Sequence, residues 1–234
     1  MNSKFSKRWV AYFDILGFKE LVNKASFYAN PNIVMKIFER AFQETSKELK
    51  PLETVGDKIS QLYFSDTFVF YTEDDSGGSY KWIQSVAKNF IRGCLDGNPF
   101  IPLRGAITCG ELHVEKDRNI FFGKAFIEAH EIAEVQDWIG LVLTKTAEER
   151  ISQYDPCIHP ARHHFLMSDI PVRLKPSGKI STLKYFAYSF HAEKLDQTTR
   201  IRTLEREMKQ LDENIKRKYR NTIHHIKSIA TSSV

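Results

Sequence analysis

The order of hydrophobic patterns along the first half of the chain limits its fold more than any other feature. An apolar run at 8–15 reads as a strand. Ile33, Val34, Ile37, Phe38, Ala41 and Phe42 then recur at helical spacing and predict a helix over about 33–49, ending before Pro51. Two runs rich in aromatic and β-branched residues, 59–64 and 67–71, flank Ser65-Asp66 and predict a tight hairpin. The D-D-S-G-G-S stretch at 74–79 reads as a loop, and Trp82, Ile83, Val86, Phe90 and Ile91 mark a second amphipathic helix. Strands are predicted near 101–108 and 111–115. Strand, helix, hairpin, helix, strand is the β-α-β-β-α-β order of a ferredoxin-like α+β fold.

The second half is less regular. A helix near 124–137, a strand at 141–144 and a short helix at 145–152 precede an irregular stretch, 153–181, that carries Pro156, Pro160, Pro171 and Pro176. A last strand is predicted at 184–190. A charged helix over 199–227 places Ile201, Leu204, Met208, Leu211 and Ile215 at a/d spacing until Lys218 breaks the stripe, too short a repeat for a coiled coil. These patterns divide the chain into a body, 8–195, and a charged C-terminal helix and tail, 196–234.

Composition narrows the class. With 234 residues, 42% of them hydrophobic, the chain can bury one large core. The net charge is +5, and residues 200–227 alone hold nine Lys/Arg against four Asp/Glu, so the body is near neutral and nucleic acid is not the favoured partner. No apolar run reaches the roughly 18 residues of a membrane span, and the basic N-terminus lacks a small-residue cleavage site. Cys94, Cys109 and Cys157 are odd in number and widely spaced, which suits reduced thiols in a cytoplasmic protein.

Against that background Asp14 is out of place. It interrupts W-V-A-Y-F-D-I-L-G-F at 9–18, where an unpaired buried carboxylate would be costly. It either turns to water as a strand-end or capping residue, or pairs. In the split βαβ order the first strand neighbours the hairpin, which brings Asp14 beside Asp66 at the turn. Two carboxylates there make a hard-oxygen site suited to Mg²⁺ or Mn²⁺ and a bound triphosphate.

Four segments in order, Y-F-D-I-L-G-F (12–18), Y-F-S-D-T-F-V-F (63–70), L-R-G-A-I-T-C-G-E-L (103–112) and F-G-K-A-F-I-E-A-H-E-I-A (122–133), resemble the catalytic domain of class III nucleotidyl cyclases. The resemblance implies that Asp14, the Ile15 carbonyl and Asp66 hold two divalent cations, Mn²⁺ or Mg²⁺, and that Arg104 contacts phosphate as a catalytic residue. Asp57 in V-G-D-K is a weaker match to the second acid. The family's purine-reading Lys and Asp fall on Leu62 and Ile120, and its transition-state Asn and Arg fall on Ile127 and Glu131. A site built to hydrogen-bond a base discriminates strongly when its polar partners are missing, so ATP and GTP should be poor substrates.

The pattern is most similar to the bacterial Pycsar pyrimidine cyclases of antiphage defence. That likeness implies UTP or CTP as substrate, UTP first, and a separate effector that binds the cyclic product. It also implies a head-to-tail homodimer with composite sites. Tyr63 is the candidate for the base pocket, with sheet packing as its other reading. Lys124 and Lys184 are candidates for the missing cation, and His130 could approach the site. A purine cyclase with an unusual pocket and a catalytically silent cyclase-like binding module are the alternatives.

Overall fold

An eight-stranded mixed sheet with helices on both faces organises the protein. It is seen in a computed structural model that describes residues 6–27, 32–53, 59–118, 120–154, 165–188 and 197–232. In chain order the elements are β1 (Ser6–Ile15), α1 (Phe18–Phe27), α2 (Asn32–Glu53), β2 (Ile59–Phe64), β3 (Thr67–Thr72), α3 (Gly77–Asp96), β4 (Leu103–Glu115) and β5 (Ile120–Phe122). There follow α4 (Lys124–Val135), β6 (Gly140–Leu143), α5 (Lys145–Ile151), β7 (Phe165–Arg173), β8 (Ile180–Tyr188), α6 (Gln197–Glu207) and α7 (Glu213–Ser232). The strand order is β2-β3-β1-β4-β6-β8-β7, with β5 paired to the far end of β4.

The near-continuous apolar character of β1 follows from its central place, because a strand covered on both faces needs no polar alternation. Trp9, Ala11, Phe13 and Ile15 face the core shared with α2, α3 and α7, whereas Val10 and Tyr12 face a smaller core under α4. α4 presents Ala125, Ala129 and Ala133, one small residue per turn, to the second face and so lies close to the sheet. Gly123, at φ +157°, starts that helix where a Cβ would meet the Glu111 carbonyl oxygen at 2.2 Å. Only glycine fits there.

The central prediction holds. β1 pairs antiparallel with both β3 and β4, so the first strand and the hairpin are neighbours. Elsewhere the structure corrects the sequence reading. α2 continues through Pro51 to Glu53, where a missing N–H late in the helix removes one hydrogen bond rather than the helix. The glycine loop at 74–79 already contains the start of α3: Ser76 caps it by accepting from the Ser79 N–H, and Asp74 accepts from Ser76 N and Ser79 Oγ. The two strands near 101–115 are one, because Gly110 does not interrupt the ladder with β1.

The irregular stretch holds β7, which tolerates Pro171 because it is an edge strand. The single charged tail helix is two. A 3₁₀ turn at Met208–Gln210 ends the first, and Asp212 caps the second by accepting from the Ile215 N–H at 3.1 Å. Both pack on the body: Leu204, Ile215, Tyr219, Ile223 and Ile226 belong to the main core. Cys94 and Cys109 are free and buried, and burial pushes both thiols up, Cys109 to about 12. Asp57 and Cys157 lie outside the described residues. Among the described residues no helix is long and apolar enough to cross a membrane.

Candidate active site

Three adjacent strands assemble the site at one end of the sheet. In register, Asp14 on β1 stands between Thr67 on β3 and Arg104 on β4, and Arg104 in turn pairs with Gly140 on β6. The β2–β3 turn brings Asp66 next to this row: its carbonyl accepts from the Ile15 N–H at 3.1 Å. Ser65 adopts φ +51° in that two-residue turn, the left-handed geometry a tight hairpin requires.

Arg104 closes on Asp14. Its Nε and Nη2 both donate to Asp14 Oδ2, at 2.9 and 2.6 Å, and its Nη1 donates to the Glu134 carbonyl at 2.7 Å. The two side chains are only 15% and 16% exposed. Burial raises the Asp14 pKa. Arg104 pulls it back down, and Asp66 raises it further by like charge and by a hydrogen bond to the protonated form. Asp14 and Asp66 are therefore mutual neighbours, as the topology implied.

The donor set fits a hard cation. Two carboxylates and the Ile15 carbonyl supply oxygen ligands only, the preference of Mg²⁺ and Mn²⁺. Among the described residues no group of three or more His, Cys, Asp or Glu side chains converges to hold a metal. Further ligands would have to come from water and from substrate phosphates, as is usual for Mg²⁺.

The other predicted residues fall in several places. Leu62 shares the Asp14 face of the sheet but is 9% exposed and packed in the core under α4. Tyr63, one position on, points to the opposite face, where its ring meets Phe42 at 4.8 Å and Phe68 at 6.3 Å. The sheet-packing reading of Tyr63 is the one its geometry matches. Ile120 opens β5 opposite Glu115, eleven positions along β4 from Arg104, or roughly 35 Å of strand. Ile127, 55% exposed, and Glu131 lie on the outer face of α4. Lys124 lies 3.7 Å from Glu111 at the opposite end of α4 from Glu134, and Lys184 stands opposite Asp169 in the β7–β8 hairpin. Neither joins Arg104.

Two features went unread in the sequence, apart from His130, which it offered as a residue that could approach the site. The first is a polar relay beside Asp14: the Tyr12 hydroxyl lies 3.2 Å from Thr67 Oγ1 and 3.0 Å from His130 Nδ1. Burial raises the Tyr12 pKa, with the Asp14 and Asp66 charges adding to it. The alternation of β1 could have paired Tyr12 with Asp14, since both sit on one face.

The second is α7, which crosses the same end of the sheet. Ile215 approaches Gly17, at φ +77°, so closely that a Cβ there would lie 2.9 Å from Ile215 Cδ1. Thr222 Oγ1 accepts from the Ile139 N–H at 2.8 Å. Arg217 clamps the buried Asp137 through Nε and Nη2 at 2.7 and 2.9 Å, with Asn221 adding a bond at 3.1 Å.

No family model matches the chain, and no curated protein matches it by sequence. Its fold does match solved structures. The guanylyl cyclase Cya2 aligns with a TM-score of 0.57 at 11% identity, over 81% of this chain and 94% of that one. The guanylate cyclase domain of RhGC from Catenaria anguillulae in complex with GTP gives 0.53 at 14% identity, over 79% and 98%. A bacterial light-regulated adenylyl cyclase gives 0.53 at 9% identity, over 89% of this chain and 59% of the other. The fold of this chain is that of the class III nucleotidyl cyclase catalytic core.

Proposed function

We propose that this chain is a nucleotidyl cyclase that converts a pyrimidine nucleoside triphosphate, UTP or CTP, to its 3′,5′-cyclic monophosphate and pyrophosphate. The observation that supports it is the juxtaposition of Asp14, Asp66 and Arg104 across β1, β3 and β4. Asp14, Asp66 and the Ile15 carbonyl would hold two divalent cations, which when bound neutralise phosphate charge and acidify the attacking hydroxyl. Arg104 swings from Asp14 to the triphosphate, where its planar fork suits phosphate oxygens. The 3′-oxygen bonds to the α-phosphorus, the α–β bridging bond breaks, and pyrophosphate leaves with the electron pair. The hydroxyl proton is released to solvent water.

The choice of a pyrimidine rests on Leu62 and Ile120, apolar where a purine reader would need polar groups. Leu62 and Ile120 lie away from the Asp14–Arg104 row of their own chain, so in this reading the base pocket they belong to would serve the metal site of a second copy. A head-to-tail homodimer supplies one, and the exposed Phe64, Phe122 and Ile127 give it an apolar contact face. In this reading the enzyme works in the bacterial cytoplasm in antiphage defence. A cyclic pyrimidine nucleotide then acts through a separate protein that binds it.

The test incubates the purified protein with ATP, GTP, CTP or UTP and Mn²⁺, resolving products by mass and chromatography, with Asp66→Ala beside it. A cyclic pyrimidine product that disappears in the variant is the expected result. A cyclic purine product overturns the base assignment, and Mn²⁺-dependent turnover that survives in Asp66→Ala overturns the metal site. Four intact nucleotides, also after exposure to extract from phage-infected cells, favour the silent binding module.

A further inference from the structure

The tail helix carries more than packing. Ile215, Lys218 and Thr222 lie three and four residues apart and so share one face of α7. Ile215 is seated on Gly17, three residues beyond Asp14, and Thr222 is bonded to Ile139, next to the Gly140 that pairs with Arg104. Lys218 sits between these two anchors, directly beyond the Asp14–Arg104–Gly140 row. Its neighbours Lys216, Arg217 and Arg220 each have a carboxylate within 4 Å: Glu213, Asp137 and Glu213 respectively. Among the described residues Lys218 has none. In the sequence it is the cation that interrupts the apolar stripe of the tail.

A half-buried ammonium without a carboxylate, near enough to Arg104 for the two charges to repel, is an unfavourable arrangement on its own. Burial first, then Arg104, and more weakly Arg173, hold its pKa down to about 8, with Asp137 and Asp14 opposing. An anion placed between Lys218 and Arg104 would satisfy both. With Glu131 standing where the cyclase pattern has a cation, and with Lys124 and Lys184 elsewhere, Arg104 is the cation of the body that pairs with Asp14.

We propose that Lys218 is a second polyphosphate-binding residue of this site, delivered by α7 of the same chain. The triphosphate of the bound nucleotide then lies between the Arg104 guanidinium and the Lys218 ammonium. This rests on the cyclase reading for the identity of the nucleotide, but not for the anion site itself.

The test compares full-length wild type with Lys218→Met and Lys218→Arg. It measures tripolyphosphate affinity with Mn²⁺ by titration calorimetry, turnover on the four nucleotides, and Tm. Removing a desolvated charge should leave the Tm of Lys218→Met unchanged or higher, while tripolyphosphate binds at least tenfold more weakly, the loss of one charge-assisted hydrogen bond. Lys218→Arg recovers part of that affinity. Tripolyphosphate binding by Lys218→Met within twofold of wild type overturns the proposal.

If Lys218→Met melts lower, the comparison passes to Lys218→Gln against Lys218→Arg. A tenfold gap between those two supports Lys218, and equal affinity overturns it. Wild type that cyclises no nucleotide, also after exposure to extract from phage-infected cells, yet loses tripolyphosphate on Lys218→Met keeps the anion site and rejects the cyclase. Wild type that cyclises, with Lys218→Met unchanged, does the reverse.

Discussion

The proposed function gives Arg104 two roles, and one substitution should move them in opposite directions. Without nucleotide, its Nε and Nη2 both occupy Asp14 Oδ2, at 2.9 and 2.6 Å, so a divalent cation must displace the guanidinium to reach that oxygen. At an effective dielectric near 20, two unit charges about 4 Å apart interact by about 4 kcal/mol. The 15% and 16% exposure of the two side chains, and the water that replaces Arg104, reduce this to about 2 kcal/mol. Arg104→Met should therefore tighten Mn²⁺ binding to the nucleotide-free protein by about 10- to 30-fold. Tripolyphosphate binding in the same variant should weaken at least tenfold, because the planar fork is gone.

The Mn²⁺ titration follows the free-ion signal by electron paramagnetic resonance. It is run at pH 8, because Asp14 loses the neighbour that chiefly holds its pKa down and must stay ionised. Mn²⁺ affinity that falls together with tripolyphosphate affinity would refute the reasoning, since Arg104 would then support the metal site rather than compete with it.

Two further outcomes concern stability. Arg217→Met leaves the Asp137 carboxylate, 1% exposed, with Asn221 and the more distant Arg173 only. Breaking a buried pair on one side costs about 3–5 kcal/mol, cut to about 2–3 because the Arg217 side chain is partly exposed. Thermal unfolding should show Tm lower by roughly 4–10 °C, and a shift under about 1 °C would contradict the clamp.

His225 is buried on the main-core side of α7 with its ring 4.7 Å from Trp138, and burial, with His224 adding, pushes its pKa down to about 4. The unfolded chain takes up this proton near pH 6.5 and the folded chain only near 4. Its contribution, up to about 3 kcal/mol, is full above pH 6.5 and is lost as pH falls toward 4. Urea unfolding across that range should give a flatter profile for His225→Phe than for wild type. Equal slopes would show that His225 is not the group responsible.

What the sequence made legible follows from the range of the interactions. β1, the hairpin and α3 are written in local periodicity, and their order alone places Asp14 beside Asp66, because few topologies accommodate strand, helix, hairpin, helix, strand. The hairpin turn tolerates Ser65 at positive φ, so a serine there does not disturb Asp66. The start of α3 was hidden because Gly77 and Gly78 read as loop, although Ser76 and Asp74 already carry the cap. Of the two readings open for Tyr63, only its face is decided by the strand: adjacent residues face opposite ways, so Leu62 and Tyr63 do not line one pocket of the same chain.

The tail shows the limit of such reading. Its a/d stripe predicts an apolar helix face but not what that face meets. The information that docks α7 lies in Gly17, Asp137 and Ile139, residues 80 to 198 positions away from their partners along the chain and chemically unremarkable in isolation. A charged residue in an apolar stripe is the one trace that survives in sequence. Lys218 and Arg217 are adjacent, yet Arg217 is clamped by a buried carboxylate while Lys218 is left with the repulsion of Arg104. The helix is thus held by one cation and presents the next, which is the arrangement a binding site needs and a purely structural helix does not.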